Sequence, residues 1–199
     1  MDVRRILTLN YRLNIMGLIA GLFLIYIAIS DKPWWILVGG SIEEHVFSVE
    51  LSPFMTMITV LGKPVHLPII TYLNMGMRLS FLVVAATTIL GSIFMRRSWS
   101  KKFISLAGLK TPIAFLILLF VCLEIVKMHF GVTIPIIGRS TLTHKIFLTG
   151  GEVTVHIPMT AKITQEYWTA LIIGIPSLIA KLIASSKRSS QPNTQHHLT

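Results

Sequence analysis

The chain contains little charge and a single cysteine, and each shortage excludes a class of protein. Charged residues make up 13% of its 199 residues and hydrophobic residues 53%, whereas soluble domains carry about 25% charged residues. Cys122 alone permits no intramolecular disulfide and no zinc or iron–sulfur site built from several cysteines. A P-loop, a GxSxG motif, an HExxH motif and a dinucleotide-binding glycine pattern are all missing. The composition favours a membrane protein, and we predict no catalytic or cofactor-binding residue.

Long uncharged or nearly uncharged runs accompany this shortage of charge. At 1.5 Å per residue, about twenty helical residues cross a hydrocarbon layer of about 30 Å. Two runs carry no charge at all, and two more carry only charges that an interface could accommodate. None of the seven histidines lies in the middle of a run, which argues against a haem held inside the membrane. We predict four transmembrane helices, at residues 13–30, 79–95, 111–128 and 168–184.

The basic residues predict the orientation of these helices. Eleven of the 18 Lys and Arg residues flank the same side of the predicted helices, where Asp2 is the only acid. Cytoplasmic segments carry such an excess, so we predict a multi-pass protein of the cell membrane with both termini in the cytoplasm. The same charge favours anionic lipid headgroups, and its division among membrane-flanking segments argues against nucleic-acid binding. These eleven residues are Arg4, Arg5, Arg12, Arg96, Arg97, Lys101, Lys102, Lys110, Lys181, Lys187 and Arg188.

The two segments on the opposite side have the composition of strands. Residues 41–70 and 132–160 are rich in β-branched and apolar residues, and Gly-Lys-Pro at 62–64 and Gly-Gly at 150–151 supply turn chemistry. We predict a membrane α+β fold in which an external β-rich cap accompanies the four helices. The four tryptophans, Trp34, Trp35, Trp99 and Trp168, are predicted at the membrane interface, where the indole N–H meets water.

Two similar stretches indicate an internal duplication. VHLP at residues 65–68 and VHIP at 155–158 lie ninety residues apart. His66 lies twelve residues before Arg78, which borders the second predicted helix, and His156 lies twelve residues before Trp168, where the fourth begins. Because proline restricts the preceding residue to extended conformations, Leu67 and Ile157 are each predicted to end a strand.

The duplication predicts two parallel repeats of helix, strands and helix. The first repeat covers residues 1–96 and the second 111–184, related by an axis along the membrane normal. The segment 97–110 between them is amphipathic at helical spacing, which suits a short helix lying in the cytoplasmic interface. Residues 185–199 are polar, and we predict a disordered tail.

The paired histidines allow two interpretations. His66 and His156 could bind a metal ion on the outer face, because imidazole is a common ligand of zinc and other transition metals. The alternative, which we favour, is that each ring makes a structural hydrogen bond, because no carboxylate or cysteine pattern accompanies them.

Glu124 is the most unusual residue of the predicted helices. An ionisable group inside a membrane helix is costly and is a functional hypothesis by default, so proton relay or quinone binding is one interpretation. The other, which we favour, is a structural ion pair with Lys127, three residues further along the same helix, or with Arg78 at the outer end of the second helix.

Small residues predict helix contacts and complete the functional prediction. Gly17 and Gly21 form a GxxxG motif, and Ala170 and Gly174 repeat the spacing. We predict a non-catalytic integral membrane subunit that scaffolds or stabilises a larger membrane complex, for example an energy-transducing one, with other membrane subunits and the lipid bilayer as partners. The alternatives are a redox-linked subunit with a metal at the external histidines or a quinone near Glu124, and a small oligomeric transporter or channel.

Overall fold

The computed structural model describes residues 13–40, 45–94, 97, 99–103, 107–148 and 151–186. Within them the chain forms four long helices, one short helix and one six-stranded antiparallel sheet, which supports an α+β fold. The basic N-terminal stretch and residues 187–199 of the predicted tail lie outside the described part. In chain order the elements are α1 (Ile15–Ile29), β1 (Trp35–Gly40), β2 (His45–Ser52), β3 (Met55–Val60), β4 (Lys63–Val65), α2 (Pro68–Ile93), α3 (Ser100–Phe103), α4 (Ala107–Phe130), β5 (Gly138–Leu148), β6 (Gly151–Ile163) and α5 (Gln165–Ser186).

Three helices begin earlier than the hydrophobic runs predict, and for α5 the difference is only three residues. Helix α2 starts at Pro68, eleven residues before the predicted start, because a charge at Arg78 ends an apolar run without ending a helix. Proline fits the first position of a helix, where its missing N–H is not needed. Helix α4 starts at Ala107, so Pro112 lies inside the helix. The predicted start at residue 111 would have placed this proline in the first turn.

Two of the described helices are long and apolar enough to cross a membrane. They are Pro68–Ile93 and Gly108–Phe130, with mean hydropathies of 1.6 and 2.3 in their most apolar stretches. Helix α1 is apolar but has 15 residues, which span about 22 Å at 1.5 Å per residue. Four transmembrane crossings therefore remain a prediction.

The sheet has the strand order β4-β3-β2-β1-β6-β5. Because directly paired residues share a face, the register defines an apolar and a polar side. The apolar side includes Trp35, Leu37, Val49, Leu51, Ile58, Met159 and Ala161. The polar side includes Ser48, Glu50, Thr59, Arg139, Thr143, His156, Thr160 and Lys162.

The sequence prediction missed the central strand β1 and placed a strand at residues 132–137, where the structure has none. Strand β1 begins only six residues after α1 ends, before the segment predicted to form strands. Residues 132–137, predicted as extended, form no strand, and β5 begins at Gly138. Pro135 lies in this stretch and lacks the N–H that a ladder needs.

Trp34 and Trp35 are buried in the protein and do not meet water as predicted. Trp34 is 3% exposed, and its ring meets Phe54, Phe115 and Tyr167 edge-on at centroid distances of 6.1, 5.3 and 6.0 Å. Trp35 is 1% exposed, and its indole N–H donates to the carbonyl of Ile136 over 2.8 Å. The expectation that these two tryptophans lie at the membrane interface is wrong because both rings contact other groups of the protein. Trp99 and Trp168 are exposed, at 41% and 50%.

The two VH-x-P stretches follow different paths. His66 and Leu67 lie between β4 and α2, and Pro68 opens the helix, whereas VHIP lies inside β6. The prediction that Ile157 ends a strand is wrong, because β6 continues to Ile163 on the pairing that β1 and β5 provide. Each half keeps the order helix, strands, helix, and the duplication itself stays a prediction.

The described chain divides into two compact units. One comprises, among the described residues, 13–29, 79–110 with its gaps and 170–186, and the regular secondary structure found there is helical. The other comprises residues 30–78 and 111–169 and contains the whole sheet with segments of α2, α4 and α5. We call them the helical unit and the sheet unit.

Candidate functional site

His66 and His156, which both belong to the sheet unit, are far apart. His66 follows edge strand β4, and His156 lies on β6, four strand positions away. At about 4.8 Å per strand, this separation is about 19 Å, far beyond what one metal ion can bridge. Among the described residues, no group of three or more His, Cys, Asp or Glu side chains could hold a metal ion.

Each histidine has its own local surroundings. The Nδ1 atom of His156 lies 3.1 Å from the hydroxyl of Thr143, its direct neighbour on β5. His66 borders a small open recess between strands β3 and β4 and the first turn of α2. Its other lining residues are Thr56, Ile58, Val65, Leu67, Ile70 and Thr71. Neither arrangement supplies the several converging ligands that a metal ion needs.

Of the two predicted partners of Glu124, Lys127 lies near its carboxylate, whereas Arg78 binds other groups. Lys127 Nζ lies 3.7 Å from the Glu124 carboxylate, and the two side chains are 52% and 44% exposed. Arg78 takes no part, because it donates to the carboxylate of Asp31 and to the carbonyl of Phe54. An exposed i,i+3 pair at this distance stabilises a helix only weakly in water.

Asp31 and Lys32, two adjacent residues after α1, bind two different helices. Asp31 pairs with Arg78 of α2, and Lys32 Nζ lies 2.8 Å from the Glu166 carboxylate in the first turn of α5. The hydrogen bond from Lys32 lowers the pKa of Glu166 below its ordinary value. A carboxylate near a helix N-terminus is also favoured by the helix dipole. The linker after α1 is therefore fastened to both helices by charge.

The GxxxG motif of α1 forms a contact between two helices of the same chain. In the helical unit, a methyl group at Gly17 would lie 2.0 Å from Ser92 Oγ, and one at Gly21 would lie 2.4 Å from Ile89 Cγ1. Both contacts are with α2, so α1 and α2 approach closely along these glycines. The motif therefore serves an intramolecular contact and leaves no free glycine surface for a partner helix.

The second small-residue pair joins α4 and α5. Gly174 lies so close to Gly108 and Leu109 that an added Cβ would be 2.7 Å from the Gly108 carbonyl oxygen. Ala170 is 2% exposed. Backbone-to-backbone contact of this kind is how helices pack where lipid gives no hydrophobic driving force.

Asn14 is a structural residue that the sequence patterns did not single out. It is 2% exposed, its side-chain oxygen accepts from the N–H of Gly17, and its amide donates to the carbonyl of Ala180 over 3.0 Å. Its backbone N–H donates to the carbonyl of Ser92. Asparagine directly before an apolar run is the N-cap signal that could have identified it. The Asp31 and Lys32 links gave no comparable signal, because their partners are 47 and 134 residues away.

The first half of α2 carries a solvent-exposed apolar surface near the sheet. Ile69, Tyr72, Leu73 and Met75 are 71%, 74%, 64% and 69% exposed. At 100° per residue these four side chains cover about 160° of the helix circumference. Monomeric soluble proteins rarely leave such apolar patches uncovered, so this half of α2 is the candidate interaction surface.

The chain matches no protein-family model and no curated protein. The functional argument therefore depends on the geometry of the described residues.

Proposed function

We propose that the protein is a non-catalytic integral membrane subunit that scaffolds or stabilises a larger membrane complex. The observation that carries this proposal is the exposed apolar first half of α2. This surface lies beside an edge strand of the sheet, so contact with lipid would cover it at a high energetic cost.

The neighbours of this surface explain why lipid is a poor cover. The recess at His66 brings Ile70 and Thr71 of α2 next to Val65 of β4. Strand β4 is the edge of the sheet, and an open sheet edge in hydrocarbon would leave backbone N–H and C=O groups without partners. Immersing the first half of α2 in lipid would therefore immerse this edge as well. A protein partner covers the apolar side chains without that cost.

The remainder of the apolar surface supports a membrane location. Only 28% and 11% of the most apolar stretches of α2 and α4 are buried, and both stretches contain at most two charged residues. A core helix of a soluble protein is mostly buried. Close glycine contacts at Gly17, Gly21 and Gly174 add the packing that membrane helices use.

The partner can be tested by photo-crosslinking in the native membrane. A benzoylphenylalanine at Tyr72, which is exposed, should give a discrete adduct with another membrane protein, and the same protein should co-purify stoichiometrically in mild detergent. The matched control is Phe81 on the same helix, which is 7% exposed and should give none. A chain that is purified without a partner, with Tyr72 crosslinking only to lipid, contradicts the proposal.

The membrane orientation needs a separate experiment. In a Cys122→Ser background, Thr143→Cys should react with an impermeant thiol reagent in intact cells. Lys102→Cys should react only after permeabilisation. Both positions are exposed in the structure, so a missing reaction reports the membrane and not burial. The opposite pattern overturns the predicted topology.

A further inference from the structure

Helix α3 of the helical unit, together with the residue before it, has one buried side and one exposed side. Ser100 is fully buried, whereas Trp99 and Phe103 are 41% and 43% exposed and Lys102 is exposed. Backbone hydrogen bonds from the N–H of Ser100 to the carbonyl of Arg97 and from the N–H of Lys102 to the carbonyl of Trp99 shape this turn. The outward side therefore combines aromatic rings with a positive charge.

The outward rings form one continuous patch. Trp99 meets Phe103 edge-on at a centroid distance of 5.4 Å and lies 6.0 Å from Phe94, which is 49% exposed. Edge-to-face contact at this distance holds each ring in place. Indole and phenyl rings of this kind settle at the boundary between headgroups and acyl chains.

The charged residues in the described part of the helical unit, which contains this patch, have a single sign. Every charged residue in the described part of the helical unit is basic: Arg97, Lys101, Lys102, Lys110 and Lys181. Arg97 and Lys102 flank the rings directly in sequence, and both are exposed. A surface with exposed rings and uncompensated positive charge is complementary to a layer of anionic headgroups above acyl chains.

We propose that Arg97, Lys102 and the aromatic patch formed by Phe94, Trp99 and Phe103 bind anionic phospholipid headgroups. The rings enter the acyl boundary, and the guanidinium and ammonium groups contact lipid phosphates. This inference rests on the proposed membrane location but requires no protein partner. It fails or succeeds independently of the Tyr72 crosslink.

The test uses the full chain in phosphatidylcholine nanodiscs that contain a small fraction of phosphatidylglycerol. Bromine on the acyl chains quenches nearby indoles, and the part of the fluorescence that Trp99→Phe removes reports Trp99. Brominated phosphatidylglycerol should quench this part more strongly than brominated phosphatidylcholine at the same mole fraction. Arg97→Gln and Lys102→Gln should each reduce the preference about fivefold, and Lys63→Gln, exposed in the sheet unit, should leave it unchanged.

Three results overturn the proposal. Equal quenching by the two brominated lipids would show no preference for negative charge. A preference that survives the Arg97→Gln, Lys102→Gln double substitution would place the lipid elsewhere. Loss of the preference on adding millimolar inorganic phosphate, at constant ionic strength, would identify a free anion and not a headgroup as the ligand.

Discussion

Replacing Gly174 with alanine should weaken the contact between α4 and α5 in the helical unit. The new methyl carbon would lie 2.7 Å from the Gly108 carbonyl oxygen and 2.8 Å from Leu109 Cα. Both are backbone atoms, so no side-chain rotation relieves the clash. Ordinary contact distances of about 3.4 Å require the helices to separate by about 0.7 Å, and overpacking of this kind costs about 1–3 kcal/mol. Higher helix propensity offsets about 1 kcal/mol of this.

Gly76 provides the matched control on α2. A methyl group there meets no atom within 4 Å, so Gly76→Ala should leave stability unchanged or raise it by up to about 1 kcal/mol. Thermal unfolding of the purified protein in detergent, followed by circular dichroism, measures both variants. Gly174→Ala should lower the midpoint by several degrees, at about 2–4 °C per kcal/mol for a chain of this size. Equal midpoints for the two variants would refute the proposed close packing.

Three further perturbations test single contacts by the same unfolding assay. Gly17→Ala should destabilise less in a Ser92→Ala background than in the wild type, because the nearest clash, at 2.0 Å, is with the Ser92 hydroxyl; strictly additive effects would contradict it. Since Lys32 lowers the pKa of Glu166 from 4.5, the stabilisation is present above about pH 4.5 and is lost as the pH falls through the folded-state pKa. Glu166→Gln should therefore be less stable than the wild type at pH 7, and the difference should vanish in acid. Trp35→Phe should cost about 0.5–1.5 kcal/mol because it removes the donor to the part-buried carbonyl of Ile136; an unchanged midpoint would show that the bond contributes nothing.

Local patterns predicted that helices and a β-sheet occur together, and they located most of the helices. The apolar runs located α1, α4 and α5 to within a few residues, because helix and hydrophobic run coincide where no charge interrupts them. The β-branched segments located five of the six strands in part. Strand β1 was missed because Trp35–Gly40 follows α1 so closely that its apolar residues resemble a helix end.

The residues that link distant segments could not be predicted in the same way. Arg78 was expected near Glu124 on the basis of estimated depth alone, but it binds Asp31 because the turn after α1 lies beside α2 in the sheet unit. Trp34 was expected at water, but three aromatic rings from β2–β3, α4 and α5 surround it. Such contacts depend on how the chain folds back on itself, and a single sequence without a packing partner in view does not contain them.

The length of α2 links this error to the proposed function. The sequence prediction placed residues up to 70 in the strand segment and began the second helix at residue 79, so it counted only the apolar run after Arg78. The helix has 26 residues, or about 39 Å at 1.5 Å per residue, against a hydrocarbon thickness of about 30 Å. Tilt can absorb part of that excess length. The Arg78–Asp31 ion pair on α2 and the β4 edge beside the first turn of α2 stay in place at any tilt. The apolar residues of α2 before Arg78 therefore extend the helix past the length that lipid covers at low cost, which is the reason for proposing a protein partner on the sheet side.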